Sequence, residues 1–196
     1  MGRYFAGMWL GVLGPLLLWQ VLGPPKSAES STHRPTAPSW SWASLPLHRG
    51  IHYAPDLPQM GSSVDVDHNF KAMVTGQAIG SNPFDWVTNT ILHLRAKGIE
   101  CDATSRLFDF SGSWDLNRGD GRSSPKFDCH TRLFRDRVPS VDNEELLFVY
   151  IGNNAGFGLR KTNNHAPTYE RVGFVNWIHP QNEFLESMKV VTVDVI

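Results

Sequence analysis

The chain has 196 residues, of which 41% are hydrophobic and 11% aromatic, so it can fill one packed core and disorder along its whole length is excluded. Eighteen basic and nineteen acidic residues nearly balance, and because no basic block stands out, we expect no nucleic-acid partner. The two cysteines, Cys101 and Cys129, are too few for a disulfide framework. We expect two reduced thiols, with one bridge between them as the alternative.

The first predicted element is an apolar stretch, residues 5–22, which contains no charge and follows Arg3. One interpretation is a secretory leader or a membrane anchor. The other is a buried helix that Pro15 ends or kinks, because four large apolar residues recur at helical spacing. These four are Phe5, Trp9, Val12 and Leu16. The residues alone do not separate the two interpretations.

Residues 23–37 are rich in Pro, Ser and Thr, which is typical of an exposed linker. In residues 38–44 (PSWSWAS), apolar and small polar residues then alternate. This alternation predicts a strand with Trp40 and Trp42 on one face and the serines on the other. We expect both tryptophans in the core, since large aromatic side chains dominate core burial, with a ligand-stacking platform as the alternative.

The remainder of the chain contains short segments with the alternation or the β-branched composition of strands. They are residues 64–74, 90–101, 146–151, 169–177 and 190–196. Residues 184–188 predict one helical turn, and Gly- and Asn-rich turns are expected at 80–83, 117–121 and 152–154. The pattern predicts a mainly β fold, either an antiparallel sandwich or an open barrel-like sheet, with an N-terminal helical segment.

No candidate constellation predicts catalysis, a cofactor or a bound metal. His48 and His52 are four residues apart, but their Pro- and Gly-flanked segment is not typical of a helix that would align two metal ligands. Cys129 and His130 are adjacent, and neighbours on a strand point to opposite faces. Residues 115–126 depart from a calcium loop at three positions. We therefore expect no catalytic, cofactor-binding or metal-binding residues.

Residues 37–44 (APSWSWAS) resemble a motif found just downstream of the effector domain in fungal heterokaryon-incompatibility (HET) proteins. Further segments resemble that family's motifs in the same order, namely residues 4–21, 90–97, 157–160 and 169–174. The specific matches are the tryptophan motif and the Tyr-x-Arg-Val-Gly motif. Their residues are Pro38, Ser39, Trp40, Ser41, Trp42, Ala43, Ser44, Tyr169, Arg171, Val172 and Gly173.

The resemblance implies a cytoplasmic protein and favours the buried helix over the leader. It implies an apolar helical segment at 1–22, a linker at 23–37 and a β-rich domain at 38–196. Because the first motif begins close to Met1, we expect a truncated chain that lacks the HET domain, the part that triggers cell death when genetically different hyphae fuse. We also expect residues 4–22 to drive self-association, and residues 38–196 to fold without them.

The implied function is therefore a non-catalytic structural or recognition region in fungal non-self recognition. Its expected partner is a HET effector domain or another protein, and a membrane partner is not expected. The alternative function is a secreted or membrane-anchored β-sandwich binding module, exported or anchored through residues 5–22.

Overall fold

The computed structural model describes residues 4–6, 8–21, 37–45, 50–53, 65–78, 87–102, 113–115, 130–136, 145–162, 168–178 and 182–196. These residues form a mainly β fold, as predicted. The strands are β1 (Tyr4–Phe5), β2 (Met8–Trp9), β3 (Trp19–Val21), β4 (Ile51–Tyr53), β5 (Lys71–Ala78), β6 (Val87–Asp102), β7 (Ser113–Asp115), β8 (His130–Arg135), β9 (Glu145–Gly152), β10 (Ala155–Lys161), β11 (Thr168–Ile178) and β12 (Lys189–Val195). The helices are α1 (Leu13–Leu16) and α2 (Asn182–Ser187), with 3₁₀ turns at Leu10–Val12 and Trp42–Ser44.

Five strands close into a barrel in the order β10–β9–β6–β12–β11, with β11 pairing back onto β10. The pairs within this ring are antiparallel, except that β11 and β12 run parallel through Thr168–Asp194 and Tyr169–Val195. A parallel pair needs a crossover connection, and the segment that contains α2 supplies it. Strands β8 and β7 extend the sheet beyond β11, and β5 pairs with β6. The predicted barrel-like sheet is therefore closed.

The turn predicted at 152–154 joins β9 to β10. Asn153 and Asn154 have φ angles of 49° and 57°, which are the positive values that a two-residue hairpin turn with a right-handed twist requires. Asparagine is one of the few non-glycine residues that adopt them readily. At Gly152, an added Cβ would lie 2.1 Å from the Asp65 carbonyl oxygen, so the close approach of residue 65 also requires glycine.

Two buried clusters lie on opposite faces of β9 to β11, because successive side chains of a strand alternate between faces. The first core cluster includes Leu92, Leu94, Leu147, Val149, Ile151, Phe157, Leu159, Phe174, Val193 and Val195 from the barrel strands, together with Met8, Leu17, Leu18, Trp19 and Trp40. The second core cluster includes Leu133, Leu146, Phe148, Tyr150, Val172, Val175 and Trp177, and Phe184 and Met188 from the α2 region.

The N-terminal segment contains a short helix, but most of it is extended. Among the described residues of this segment, helical backbone is limited to residues 10–16, between the β1–β2 pair and β3. The expected single helical face is wrong, since Phe5 is buried while Trp9 and Val12 are 45% and 53% exposed. Glycines have poor helix propensity and Pro15 lacks a backbone N–H, so a long helix does not form. Among the described residues, no helix is long and apolar enough to cross a membrane.

Four side chains of this segment are completely buried in the first core cluster, against the barrel strands. They are Met8, Leu17, Leu18 and Trp19. Removing them would expose the barrel side chains that they cover. The structure therefore argues against the expectation that residues 38–196 keep their fold without the preceding segment.

The strand predicted for residues 38–44 is wrong. The backbone turns at Ser41, whose N–H donates to the Pro38 carbonyl, and then forms the 3₁₀ turn Trp42–Ser44. The Ser41 hydroxyl accepts a hydrogen bond from the Ala43 N–H at 3.1 Å, and such local capping competes with strand pairing. Trp40 is completely buried, as predicted, whereas Trp42 is half-buried against the first core cluster.

The strands predicted at 90–101, 146–151, 169–177 and 190–196 are confirmed as β6, β9, β11 and β12. The helical turn predicted at 184–188 is confirmed as α2. The strand predicted at 64–74 begins only at Lys71, because residues 67–70 form a turn in which the Asn69 N–H donates to Asp67. Several of the predictions concern residues outside the described ranges. These residues are His48, Cys129, 22–36 and the expected turns at 80–83 and 117–121.

Candidate functional site

The two motifs that carry the family resemblance contact each other at Ser39. The Ser39 hydroxyl accepts a hydrogen bond from the Arg171 N–H at 3.0 Å and donates one to the Ile196 carbonyl oxygen. The Ser39 N–H donates to the same carbonyl at 3.1 Å, and the Ile196 N–H donates to the Tyr169 carbonyl at 2.8 Å. The tryptophan segment is thus joined to β11 and to the C-terminal end of β12.

The Arg171 guanidinium group lies in the core and contacts three other segments. Its side chain is 0% exposed, and its Nε donates to Oδ2 of Asp136, itself 4% exposed, at 2.8 Å. Its Nη1 donates to the Leu17 carbonyl oxygen at 2.6 Å, and its Nη2 donates to the carbonyl of Trp19. The Arg171 Cζ lies 3.6 Å from the centroid of the Trp19 ring and 5.4 Å from that of Phe157. One side chain therefore ties β11 to the N-terminal segment.

The Arg171 guanidinium group keeps its charge although it is buried. Burial lowers the pKa of Arg171, because the interior disfavours a charged form, while the charge of Asp136 and its hydrogen bond raise it. An arginine has so high an ordinary pKa that it stays protonated in such a site. The site is thus a buried ion pair whose cation also satisfies backbone carbonyls and stacks on an aromatic ring.

A β-bulge turns Arg171 toward the first core cluster. Across the β10–β11 ladder, Gly173 pairs with Gly158 but Arg171 pairs with Leu159, so Val172 is an additional residue on β11. Because of this extra residue, Arg171 and Phe174 face the first core cluster, whereas Val172 packs in the second. A Cβ at Gly158 would lie 3.2 Å from side-chain carbons of Leu133, Phe148 and Val172, which leaves little room for a larger residue there.

The other residues of the tryptophan motif are packed or hydrogen-bonded nearby. The Trp40 carbonyl accepts a hydrogen bond from Nε1 of Trp19 at 3.1 Å, and the Ser41 hydroxyl donates to the Ala6 carbonyl. Ser44 is buried, and Pro38 and Ala43 take part through the backbone atoms already described. The structure therefore joins the two motifs through Ser39, at the junction of the N-terminal segment, the tryptophan segment and β11, while Val172 packs on the opposite face.

A second polar group lies on the outer face of the sheet, and the sequence did not predict it. His93 Nδ1 lies 2.6 Å from Asp194 Oδ1, and His93 Nε2 lies 2.8 Å from the Thr75 hydroxyl. The alternation of His93 with Leu92 and Leu94 indicates that His93 faces away from the core. Its partners are 18 and 101 residues away along the chain, so only the strand register reveals this contact.

His52, one of the two histidines considered as metal ligands, joins β3 to β4. Its Nε2 lies 2.6 Å from Nε2 of Gln20, and its Nδ1 lies 2.8 Å from the Tyr53 carbonyl oxygen. Within the described segments, no three His, Cys, Asp or Glu side chains form a group that could hold a metal ion. Cys101 is the second-last residue of β6 and Cys129 lies outside the described residues, so their pairing remains a prediction.

Comparison of the chain with models of protein families, with curated proteins and with solved structures finds no match. The resemblance to HET proteins therefore rests on the motif residues alone.

Proposed function

We propose that this chain is a non-catalytic structural or recognition region like the one that follows the effector domain in fungal HET proteins. The observation that carries the proposal is the hydrogen bond between Ser39 and Arg171, which are 132 residues apart. These two residues belong to the two motifs that resemble the family most specifically. Their contact gives the two motifs a shared structural role, as expected of a non-catalytic structural region.

The burial of these motif residues suggests what they do. Trp40 and Arg171 are completely buried, so they are suited to holding the fold rather than to contacting a ligand in solvent. Arg171 fixes the carbonyls of residues 17 and 19, in the segment that the resemblance places next to the effector domain. The proposed role is to hold that segment in one orientation, so that a cytoplasmic HET effector domain or another protein can be scaffolded or regulated.

The surface of this segment offers a contact for such a partner. Trp9 and Val12 are the large apolar side chains that it leaves most exposed, and the Trp9 ring packs edge-on against Tyr4 with 5.0 Å between centroids. Aromatic side chains are enriched in protein–protein interfaces, so an exposed tryptophan is suited to such a contact. In the proposed role, the effector domain covers Trp9 and Val12.

Co-expression of the full chain with a fungal HET domain tests this function. We expect the two to co-purify, the double variant Trp9→Ser/Val12→Ser to lose the HET domain, and the chain alone to leave fungal cells viable. The matched control is Met73→Ser/Val190→Ser, which removes two other exposed apolar side chains and should retain the HET domain.

Three results would contradict the proposal. Cell death from the chain alone would place effector activity in the chain itself. Equal capture of the HET domain by both double variants would show that Trp9 and Val12 do not form the contact. A mature N-terminus near residues 26–31, found by mass spectrometry, would instead support the exported binding module.

A further inference from the structure

The outer face of the neighbouring strands β5, β6 and β12 carries a hydrogen-bonded row of three side chains. His93 lies on the middle strand, and Asp194 of β12 is its direct register partner. On the other side, Met73 of β5 is opposite His93, and Thr75 follows two residues later on the same face. The Thr75 side chain is exposed, and those of His93 and Asp194 are 32% and 44% exposed, so a small molecule can reach them.

The order of these contacts determines where the hydrogens lie. The ionised Asp194 carboxylate can only accept, so the hydrogen of a neutral His93 imidazole is on Nδ1. The unprotonated Nε2 is then an acceptor, and the Thr75 hydroxyl must donate to it at 2.8 Å. A hydroxyl bonded to an imidazole that a carboxylate orients is the arrangement that activates serine and threonine nucleophiles.

We propose that Thr75 is an acylation site whose hydroxyl attacks the carbonyl carbon of an activated ester. In this step the bond from Thr75 Oγ1 to the acyl carbon forms, and the bond from that carbon to the ester's leaving oxygen breaks. The proton moves from Thr75 Oγ1 to His93 Nε2 and then to the leaving oxygen, so no oxidant, reductant or cofactor is required. Asp194 is a positioning residue, which orients the imidazole and stabilises its charged form.

The backbone beside Thr75 supports this role. The ladder between β5 and β6 shifts register between Thr75 and Gln77, so Gly76 lies in a β-bulge with a φ of 152°. A Cβ at Gly76 would lie 2.9 Å from the Thr90 hydroxyl oxygen and 3.0 Å from the Thr90 Cα, so this position requires glycine. Bulges often re-aim a side chain beside an active site, and here the bulge adjoins the reacting hydroxyl.

Charged side chains flank His93 on the outer face. Arg95 follows His93 on the same face, and Lys71 of β5 is the direct register partner of Arg95. Both are cations, placed one row from the imidazole, on the side away from Thr75. They are therefore too far along the strands to contact a carbonyl oxygen that Thr75 attacks. Among the described residues, the charged groups in the rows around His93 are thus one carboxylate, on Asp194, and these two cations.

The alternative is a polar ladder that stabilises the sheet without any reactivity. A chemical test on the full chain separates the two. The probe is p-nitrophenyl acetate, with nitrophenolate release followed by absorbance and the acetyl group located by peptide mass mapping. Thr192 is the matched control residue, because it is an exposed hydroxyl on the same face whose register partner is Arg95 rather than His93.

We expect an acetyl group on Thr75 and none on Thr192. His93→Gln should slow acylation of Thr75 by about 100-fold or more, which is the usual contribution of a general base. Thr75→Ser should retain the reaction, Asp194→Asn should slow it, and Thr192→Ala should leave it unchanged. In the wild type, the rate should fall at acid pH, because a protonated His93 cannot accept the hydroxyl proton. This pH dependence is not expected of a merely structural ladder.

Each of three results would overturn the proposal. They are acetylation confined to lysines, equal acetylation of Thr75 and Thr192, and an undiminished rate in His93→Gln. Circular dichroism checks that the variants are folded. If His93→Gln is unfolded, the comparison of Thr75 with Thr192 within the wild-type chain still decides the question. The inference does not rest on the proposed HET-like role, since acylation is measured on the chain without any partner.

Discussion

Replacing Arg171 with methionine tests whether the buried ion pair holds the N-terminal segment to the barrel. Methionine keeps a long apolar side chain in place, so part of the packing on the Trp19 ring survives. The charge and the guanidinium donors are lost. The Asp136 carboxylate then remains buried without its cation, and the carbonyls of Leu17 and Trp19 lose their Arg171 donors.

The size of the effect follows from this burial. Removing one member of a buried ion pair costs about 3–5 kcal/mol, because the remaining charge keeps its desolvation cost without its partner. A domain of this size has a total stability of about 5–15 kcal/mol, so Arg171→Met should lose a large share of it. Arg171→Lys should also be destabilising, since one ammonium group cannot reproduce the directed hydrogen bonds to Asp136, Leu17 and Trp19.

The assay is urea unfolding, followed by circular dichroism and by the fluorescence of the buried tryptophans. The control is Arg171→Met/Asp136→Leu, which removes both charges. We expect this double variant to be more stable than Arg171→Met alone, because no unpaired charge remains in the core. A loss below about 1 kcal/mol in the single variant, or no recovery in the double variant, would refute the reasoning.

Two further predictions concern the packing of the core and the stability of the fold at acid pH. Trp40→Ala should cost about 3–5 kcal/mol of unfolding free energy, and Trp42→Ala clearly less because Trp42 is only half-buried; equal losses would contradict this. Burial raises the pKa of Asp67, but hydrogen bonds from Asn69 and the charge of Lys97 outweigh it and leave the pKa below its usual range. Asp67 thus stabilises the fold at pH values above about 3.9, which is the pKa of an aspartate in the unfolded chain. This contribution is lost as the pH falls through the lower pKa that Asp67 has in the folded protein. Asp67→Asn should therefore flatten the fall of unfolding free energy below about pH 4, and an unchanged slope in acid titrations of both proteins would contradict it.

The strands of the barrel could be predicted because their burial follows the alternation of the sequence. In β6, Leu92 and Leu94 enter the core while His93 faces outward, as the period of two requires. The closure of the barrel could not be predicted. It depends on the parallel contact of β11 with β12, which has only the register pairs Thr168–Asp194 and Tyr169–Val195. A contact of only two residue pairs produces no recognisable hydrophobic pattern in the sequence of either strand.

The two wrong predictions have a common physical cause. In residues 38–44, Ser and Trp alternate as in a strand, yet the Ser41 side chain caps a 3₁₀ turn. In residues 5–22, apolar side chains recur at helical spacing, yet the helical part covers only residues 10–16, where the glycines and Pro15 disfavour a longer helix. In both segments, local backbone chemistry opposes the hydrophobic period, and the local chemistry determines the conformation.

Arg171 shows why the candidate site itself could not be derived from the strand pattern. A strict period of two in β11 would place Arg171 on the face of Val175 and Trp177, in the second core cluster, where the described contacts are apolar. The extra residue Val172 reverses this, and only then does the guanidinium reach Asp136 and the carbonyls of the N-terminal segment. A register without the bulge would bury this cation away from these partners, at a cost of several kcal/mol. The ion pair therefore opposes alternative registers of β11 as well as stabilising the native one.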